Sequence, residues 1–176
     1  FKQVTNVPKY HEDVTVWEVT EKDGKHVGIL YMDMYPRESK RGGAWMTSFR
    51  DQQMVAGNRK APLISIVCNF TKPTANTPAL LTFDEVTTFF HEFGHALHNL
   101  FAEVKYRGLA GVEGDFVELP SQIMENWALS PEMLRQYAVH YRREEVMPDE
   151  LIKKIQRTKT FNEGFNTTEL VAAALS

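Results

Sequence analysis

The first seventy residues alternate between apolar and polar side chains in short runs, a pattern typical of β-strands. DVTVWEV at 13–19 and VGILYMDMY at 27–35 are two such runs, and the KDGK between them predicts a tight turn centred on Asp23-Gly24. AWMTSF at 44–49 predicts another short strand, and the β-branched run PLISIVCNF at 62–70 predicts a buried one. We therefore expect a small antiparallel β region that begins with a hairpin.

From residue 82 onward the apolar positions recur at helical spacing. Thr82 and Glu85 form an S/T-x-x-E capping box, which predicts the start of a long helix. A second helix is predicted to start within residues 117–120, and Ser130-Pro131 predicts the start of a third, PEMLRQYAVHYRREE. PDELIKKIQR predicts a further helix, and a helical pattern returns in the last ten residues. We expect the long helix to be deeply buried, because apolar residues cover much of its circumference: Val86, Phe89, Phe90, Phe93, Leu97, Leu100 and Phe101.

Composition and charge exclude several classes of protein. The chain has 176 residues and a net charge of −3 with scattered Lys and Arg, so we expect neither a nucleic-acid nor an acidic-membrane partner. No apolar run approaches the length that spans a bilayer. Cys68 is the only cysteine, which excludes an intrachain disulfide. Its position in the apolar run LISIVCNF is typical of an inert buried thiol. Because the chain opens without Met or a signal peptide, we expect an internal piece of a longer protein.

The long helix contains the H-E-x-x-H motif His91-Glu92-Phe93-Gly94-His95. Residues four apart lie about 40° from each other on one helical face, so both imidazoles can reach one Zn²⁺ ion. Glu92 lies beside that face, where it can accept a proton from water. Gly94 would allow a close neighbour against the site. The alternative is a set of ordinary buried histidines bonded to backbone, but buried polar groups need partners and zinc supplies one.

A catalytic zinc usually has three protein ligands and an open position. The position ten residues after His91, where another known spacing has a third histidine, is Phe101. His98 lies on the same face but two turns from His91, so we expect it to support a ligand or line the cleft. The remaining candidates are the downstream carboxylates Glu103, Glu113, Asp115, Glu118 and Glu125.

Glu118 is the favoured third ligand from spacing. It shares one helical face with Ser121, Gln122 and Glu125, and polar neighbours of this kind support metal ligands. Glu125 could then orient a ligand histidine. The alternative is that this polar stripe faces solvent.

Two separated motifs, HEFGHALH and GDFVELPSQIMENW, resemble the thimet oligopeptidase and peptidyl-dipeptidase family of zinc metallopeptidases. RGGAWMTSFRDQ and PALLTFDEVTTFFHEFGHALH are most similar to its bacterial peptidyl-dipeptidase branch. The resemblance implies that His91, His95 and Glu118 bind one Zn²⁺ per chain and that Glu92 is the general base and acid. The implied fold class is α+β and mainly helical: the small β region of residues 1–70 precedes a zincin-type, gluzincin-like helical core in residues 80–176.

The resemblance also implies that the edge strand of a small sheet aligns the substrate. Gly42, Gly43 and Ala44 either belong to that edge as substrate-binding residues or lie in a plain loop. The linker LAGVEGDF is shorter than in several relatives, which can reshape a loop at the rim of the cleft. The tyrosines and histidine that stabilise the oxyanion in the family come from a segment beyond Ser176, so Tyr106, Tyr137 and Tyr141 are not assigned that role.

The function implied by the resemblance is hydrolysis of short peptides, with release of C-terminal dipeptides. One alternative is an endo-acting oligopeptidase of the same family, and another is a zinc-stabilised module that is inactive alone. We expect residues 1–176 to be a single piece of a larger catalytic domain, with short peptides and the remaining segments of the same enzyme as partners. We also expect a cytoplasmic location, from the single thiol and the family.

Overall fold

The computed structural model of the chain describes residues 1–106, 108–158 and 160–175. The helices are α1 (Phe83–Leu100), α2 (Glu118–Ala128), α3 (Pro131–Tyr137), α4 (Asp149–Thr158) and α5 (Glu163–Leu175). The strands are β1 (Lys2–Val4), β2 (Thr15–Thr20), β3 (His26–Asp33), β4 (Trp45–Arg50), β5 (Gln53–Val55), β6 (Asn58–Lys60) and β7 (Leu63–Val67). The α+β class is therefore correct, with strands in the first part of the chain and helices after them.

The predicted hairpin is formed by β2 and β3, which pair antiparallel. Gly24 has φ +90 in the turn, a backbone conformation that glycine adopts without strain. The Glu21 N–H donates to the Lys25 carbonyl at 2.8 Å and closes the turn. The register shifts between Val19 and Thr20, so the hairpin contains an irregularity next to its turn.

The sheet is mixed, so the prediction of an antiparallel β region is wrong in one respect. Its strand order is β1-β2-β3-β7-β4, and β7 pairs parallel with β3 and antiparallel with β4. Alternation of side chains reports which face is buried but not the direction of a strand. Two further elements were not predicted: β1 and the separate β5–β6 hairpin, whose turn at Ala56 and Gly57 has positive φ.

Helix α1 packs on one face of the sheet and builds the main core there. A Cβ atom on Gly28 of β3 would lie 2.9 Å from Cδ2 of Leu100, so helix and strand approach closely at that point. On the opposite face Val14, Val16 and Tyr31 form a second cluster. The main core consists of Val19, Val27, Leu30, Ile64, Ile66, Cys68, Phe70, Ala96 and Leu100.

The capping box of α1 is confirmed, but the expected deep burial of this helix is wrong. Thr82 N–H donates to Glu85 Oε2 at 2.7 Å, and Glu85 N–H donates to Thr82 Oγ1 at 3.2 Å. Only four residues of α1 are buried: Glu92, Gly94, Ala96 and Leu100. Phe101 at its end is 55% exposed. A helix that packs on a sheet through one face keeps its other side chains at least partly exposed.

The third helix is capped by Ser130, as predicted, but is shorter than predicted. It ends at Tyr137, whereas the sequence pattern favoured helix up to residue 145. The chain instead folds back, with a β-bridge between Val139 and Val146 and φ +56 at Glu144. Beyond this turn α4 and α5 form where the helical patterns predicted them, and Ser176 lies outside the described residues.

The chain divides into two compact units, Phe1–Trp127 and Ala128–Ser176. The sheet, α1 and almost all of α2 belong to the first unit, while α3, α4 and α5 belong to the second. Among the described residues, no helix is both long enough and apolar enough to cross a membrane.

Candidate metal centre

Helix α1 presents His91 and His95 one turn apart on the same face. Their ring centroids are 4.9 Å apart and the ring planes meet at 82°. His95 is the more enclosed of the two, with 12% of its side chain exposed against 26% for His91. The H-E-x-x-H spacing thus brings two imidazoles together.

Helix α2 crosses α1 at Gly94 and brings Glu118 to the two histidines. A Cβ atom on Gly94 would lie 2.5 Å from the Pro120 carbonyl oxygen and 2.6 Å from Ser121 Cα, so only glycine permits this approach. Glu118 Oε2 lies 3.2 Å from His91 Nε2 and 3.3 Å from His95 Nε2. The predicted close neighbour of Gly94 is therefore the first turn of α2, which carries this carboxylate.

The three side chains converge closely enough to share one cation. His91 Nδ1 lies 2.6 Å from Glu125 Oε1, so the other ring nitrogen, Nε2, faces Glu118. His91, His95 and Glu118 each offer one ligand atom, and these three atoms all lie within 4.8 Å of one another. These three residues could therefore hold a metal ion.

The pKa values of two members favour the metal-binding forms. Ser121 donates its hydroxyl to Glu118 Oε2 at 2.8 Å, and this bond, helped by the charges of His95 and His91, lowers the pKa of Glu118. Burial lowers the pKa of His95 despite the opposing charge of Glu118. An ionised carboxylate and a neutral imidazole are the forms that donate lone pairs to a metal.

Glu92 lies beside this group and is almost fully buried, with 6% of its surface exposed. The pKa of its carboxyl is raised, mainly by burial and in addition by the negative charge of Glu118. The charge of His91 and a hydrogen bond to the Met46 backbone lower this pKa but do not outweigh burial. Within the described part of the chain, its Oε2 atom has no hydrogen-bond partner. Since Met46 belongs to β4, Glu92 lies between the histidine group and the edge of the sheet.

The other predicted site residues lie outside this group. His98 packs edge-on against Phe116, with ring centroids 6.4 Å apart, and lines an apolar groove of about 590 Å³. Gly42, Gly43 and Ala44 lie in the loop that leads into β4 and are not part of the strand, and their role in substrate binding stays a prediction. Glu103, Glu113 and Asp115 are not members of the group that could hold a metal among the described residues.

Two contacts near the site were missed from the sequence. The Asn69 side chain donates to the carbonyls of Arg41 and Gly43, at 2.9 and 2.8 Å, and so holds the loop before β4. The contact between Glu92 and the Met46 backbone was also missed. No local signal marks either contact, because each joins segments that are far apart in sequence.

Comparison with known proteins gives concordant results. The model of peptidase family M3 matches residues 1–175. The chain is 46% identical to the dipeptidyl carboxypeptidase of Escherichia coli over 177 residues, covering 99% of this chain and 26% of that protein. It is 42% identical to oligopeptidase A of Escherichia coli, covering 91% of this chain and 24% of that protein.

A thimet-like oligopeptidase of Dictyostelium discoideum is 39% identical over 168 residues, covering 90% of this chain and 25% of that protein. The chain thus spans about a quarter of the length of the curated relatives that it matches. The family model covers nearly every residue, so this chain belongs to peptidase family M3.

Proposed function

We propose that this chain carries the zinc centre of a peptidase that hydrolyses short peptides. The observation that carries the proposal is the convergence of His91 Nε2, His95 Nε2 and Glu118 Oε2 next to the buried carboxyl of Glu92. Membership of peptidase family M3 supports the same reaction class. A purely structural metal site would have no need for a buried carboxyl beside its ligands.

In this proposal His91, His95 and Glu118 hold one Zn²⁺ ion. Two imidazole nitrogens and one carboxylate oxygen are a common ligand set of catalytic zinc, which keeps a further position open. When bound, the ion supplies Lewis-acid polarisation of a carbonyl and lowers the pKa of water. Glu125 orients His91 through Nδ1, because a hydrogen bond at that nitrogen fixes the tautomer with Nε2 free. His98 lines the adjacent groove and supports the site from there.

Glu92 acts as general base and then as general acid. Its raised pKa brings the carboxyl closer to neutral pH, where a group both accepts and returns a proton efficiently. Oε2, which is buried and unpartnered within the described residues, is available to accept a proton from the attacking water. The same carboxyl then donates that proton to the departing amine.

Strand β4 is the element that aligns the substrate. It is the last strand in the sheet order, and an extended peptide can add to such an edge through main-chain hydrogen bonds. Gly42, Gly43 and Ala44 lead directly into β4 and contribute to substrate binding as its flanking loop. Contact between Glu92 and Met46 links this edge to the proton acceptor.

Release of C-terminal dipeptides is the favoured activity, because this chain is 46% identical to a dipeptidyl carboxypeptidase. Endo-cleavage is the second candidate, since oligopeptidase A matches at 42%. Product masses from peptides of increasing length distinguish the two, through successive losses of two residues or through internal cuts. The proposal includes a cytoplasmic location and the remaining segments of a full-length enzyme as partners. The chain alone is then a metal-binding but weakly active piece.

The proposal is tested by the metal content of the purified chain. Inductively coupled plasma mass spectrometry should find about one zinc per chain, and Glu118→Gln should lower that occupancy strongly because a neutral amide is a poor zinc ligand. Glu113→Gln is the matched control: it removes an exposed carboxylate of the linker outside the candidate group.

Equal occupancy in the parent, Glu118→Gln and Glu113→Gln proteins would contradict the three-ligand site. No zinc in the parent after reconstitution would contradict the proposal that this chain alone holds the ion.

A further inference from the structure

The edge strand β4 has two faces, and only one of them is turned toward α1. Met46 packs against the core beneath α1, whereas Trp45 pairs with Val67 and Thr47 with Ser65 on the opposite face. Within the described residues β4 pairs with β7 alone, so its outer edge carries no strand. A peptide added there would alternate its side chains between the α1 face and the opposite face.

A groove of about 550 Å³ lies on the opposite face, beside β4. Trp45 and Phe49 line it, and Phe49 makes edge contacts with Tyr31 and Tyr10, at centroid distances of 5.5 and 5.9 Å. Phe49 is 55% exposed although it is a large apolar side chain. The groove therefore has an aromatic floor that is open to solvent next to an unpaired strand edge.

The charges that line this groove do not cancel. Arg37, Lys40 and Arg41 contribute three positive charges and Asp33 contributes one negative charge. Lys40 directs its amino group at the carboxylate and carbonyl of Asp33 and at the carbonyl of Tyr35, so it is committed within the fold. Arg37 is likewise committed through a bidentate pair with Asp33, at 2.8 and 2.9 Å.

Arg41 is the cation that remains available. Its guanidinium lies 5.0 Å from the Trp45 ring centroid, and in the described part of the chain it forms no ion pair. The Asn69 side chain donates to the Arg41 carbonyl and so holds the loop backbone that carries Arg41 before β4. A guanidinium stacked on an indole is a preorganised donor for a carboxylate.

We propose that Arg41, Trp45 and Phe49 form a subsite for a carboxylate of a peptide that adds to β4 as a strand. The inference rests on the proposed function, since it requires a peptide on this edge, but it adds a preference for charge at one position. The carboxylate can belong to an Asp or Glu side chain or to the peptide's C-terminus. In either case it lies on a residue whose side chain points away from α1.

The test measures binding and hydrolysis in parallel with the full-length form of the protein. Peptides that differ by Glu against Gln at one position, scanned along the sequence, probe a side-chain carboxylate. Peptides that differ by a free or amidated C-terminus probe the terminal carboxylate. Binding is measured by calorimetry in a Glu92→Gln background, so that cleavage does not interfere, and hydrolysis is measured with Glu92 intact.

We expect the peptide that carries the carboxylate to bind about threefold to fivefold more tightly than its uncharged partner, in line with an exposed ion pair. Arg41→Gln should abolish this ratio, while Arg41→Lys should retain only part of it, because an ammonium keeps the charge but lacks the planar fork that pairs with a carboxylate. Lys25→Gln, which removes a positive charge at the β2–β3 turn, should leave the ratio unchanged.

Each outcome decides between the two proposals. A Glu-over-Gln preference that depends on Arg41 assigns the side-chain carboxylate, and a free-over-amidated preference assigns the terminal one. Hydrolysis without a charge preference, or with a preference that survives Arg41→Gln, would overturn the subsite and leave the peptidase proposal intact. An Arg41-dependent binding preference without any hydrolysis would overturn the peptidase proposal and leave the subsite intact. Absence of both the charge preference and hydrolysis would overturn both proposals.

Discussion

Two groups of charged side chains lie in the first unit, and they differ in how completely they are paired. Asp33, which is 1% exposed, accepts hydrogen bonds from Arg37, Lys40 and Tyr10 at 2.8–3.0 Å. Glu92 is 6% exposed, yet its Oε2 has no partner within the described residues. The charges around Asp33 are fully paired with one another, whereas the group around Glu92 contains a buried acceptor atom for which the described residues provide no donor.

On the proposed function, this difference separates a charged group that stabilises the fold from one that binds a ligand. A buried charge costs several kcal/mol unless it is paired, so complete pairing around Asp33 indicates a structural role. A buried carboxyl oxygen that lacks a partner among the described residues, such as Oε2 of Glu92, costs stability. Substitutions in the two groups should therefore have opposite consequences for stability and activity.

Glu92→Gln should give the largest effect. Loss of the proton acceptor should lower kcat by about 10³-fold, within the usual range for general acid-base residues. Thermal stability should be unchanged or slightly higher, because a neutral amide replaces a buried carboxyl whose pKa burial has raised. Peptide hydrolysis by the full-length form and a melting curve measure both. Retained kcat would exclude Glu92 as the base.

Asp33→Asn should give the largest loss of stability. Arg37 and Lys40 would keep their positive charges without the carboxylate, at a cost of about 3–5 kcal/mol in the free energy of unfolding. Urea titration followed by circular dichroism measures this cost, with Asp51→Asn, an exposed carboxylate, as control. Zinc occupancy should persist wherever the variant remains folded. A change below 1 kcal/mol would show that the cluster is not structural.

Gly94→Ala links the packing of the helices to the metal group. In a free helix alanine would be favoured by about 1 kcal/mol, but the added Cβ would lie 2.5 Å from the Pro120 carbonyl oxygen. We expect a net loss of about 1–3 kcal/mol together with weaker zinc binding, since α2 must move and Glu118 with it. Gly164→Ala in α5, where a Cβ would meet nothing within 4 Å, is the control and should not destabilise the chain.

Acid should remove the contribution of Asp33 over a defined range of pH. Burial raises the pKa of Asp33, but hydrogen bonds from Arg37, Lys40 and Tyr10 outweigh burial and hold that pKa below its usual value. Its stabilisation is then complete above the unfolded pKa of about 3.9 and is lost as pH falls through the lower folded pKa. The difference in unfolding free energy between the parent and Asp33→Asn should be constant from about pH 7 to pH 5 and shrink below about pH 4. Urea titrations at these pH values test this, and a difference that grows in acid would contradict it.

Local patterns determined much of the secondary structure. The β2–β3 hairpin, the capping box of α1 and the Ser130 cap of α3 were all predictable, because each depends on residues within a few positions of one another. The α3 prediction was wrong beyond Tyr137, where apolar spacing still suggested helix. There the chain turns back through the Val139–Val146 bridge, and helical spacing alone does not report such a pairing.

The sequence by itself predicted the residues of the candidate site, Glu118 included, and determined one half of its geometry. H-E-x-x-H spacing places two imidazoles on one helical face whatever surrounds the helix, because the helical repeat is fixed. Gly94 marked the place for a close neighbour. That the neighbour is the first turn of α2, carrying Glu118, was decided by tertiary structure, because this approach depends on backbone contact between distant segments.

Tertiary structure alone also decided the direction of β7, the position of β4 at the sheet edge and the groove beside Arg41. The physical reason is the same in each case. Periodicity encodes which side of a strand or helix is buried, but strand order and the meeting of distant loops follow from how those buried faces pack together.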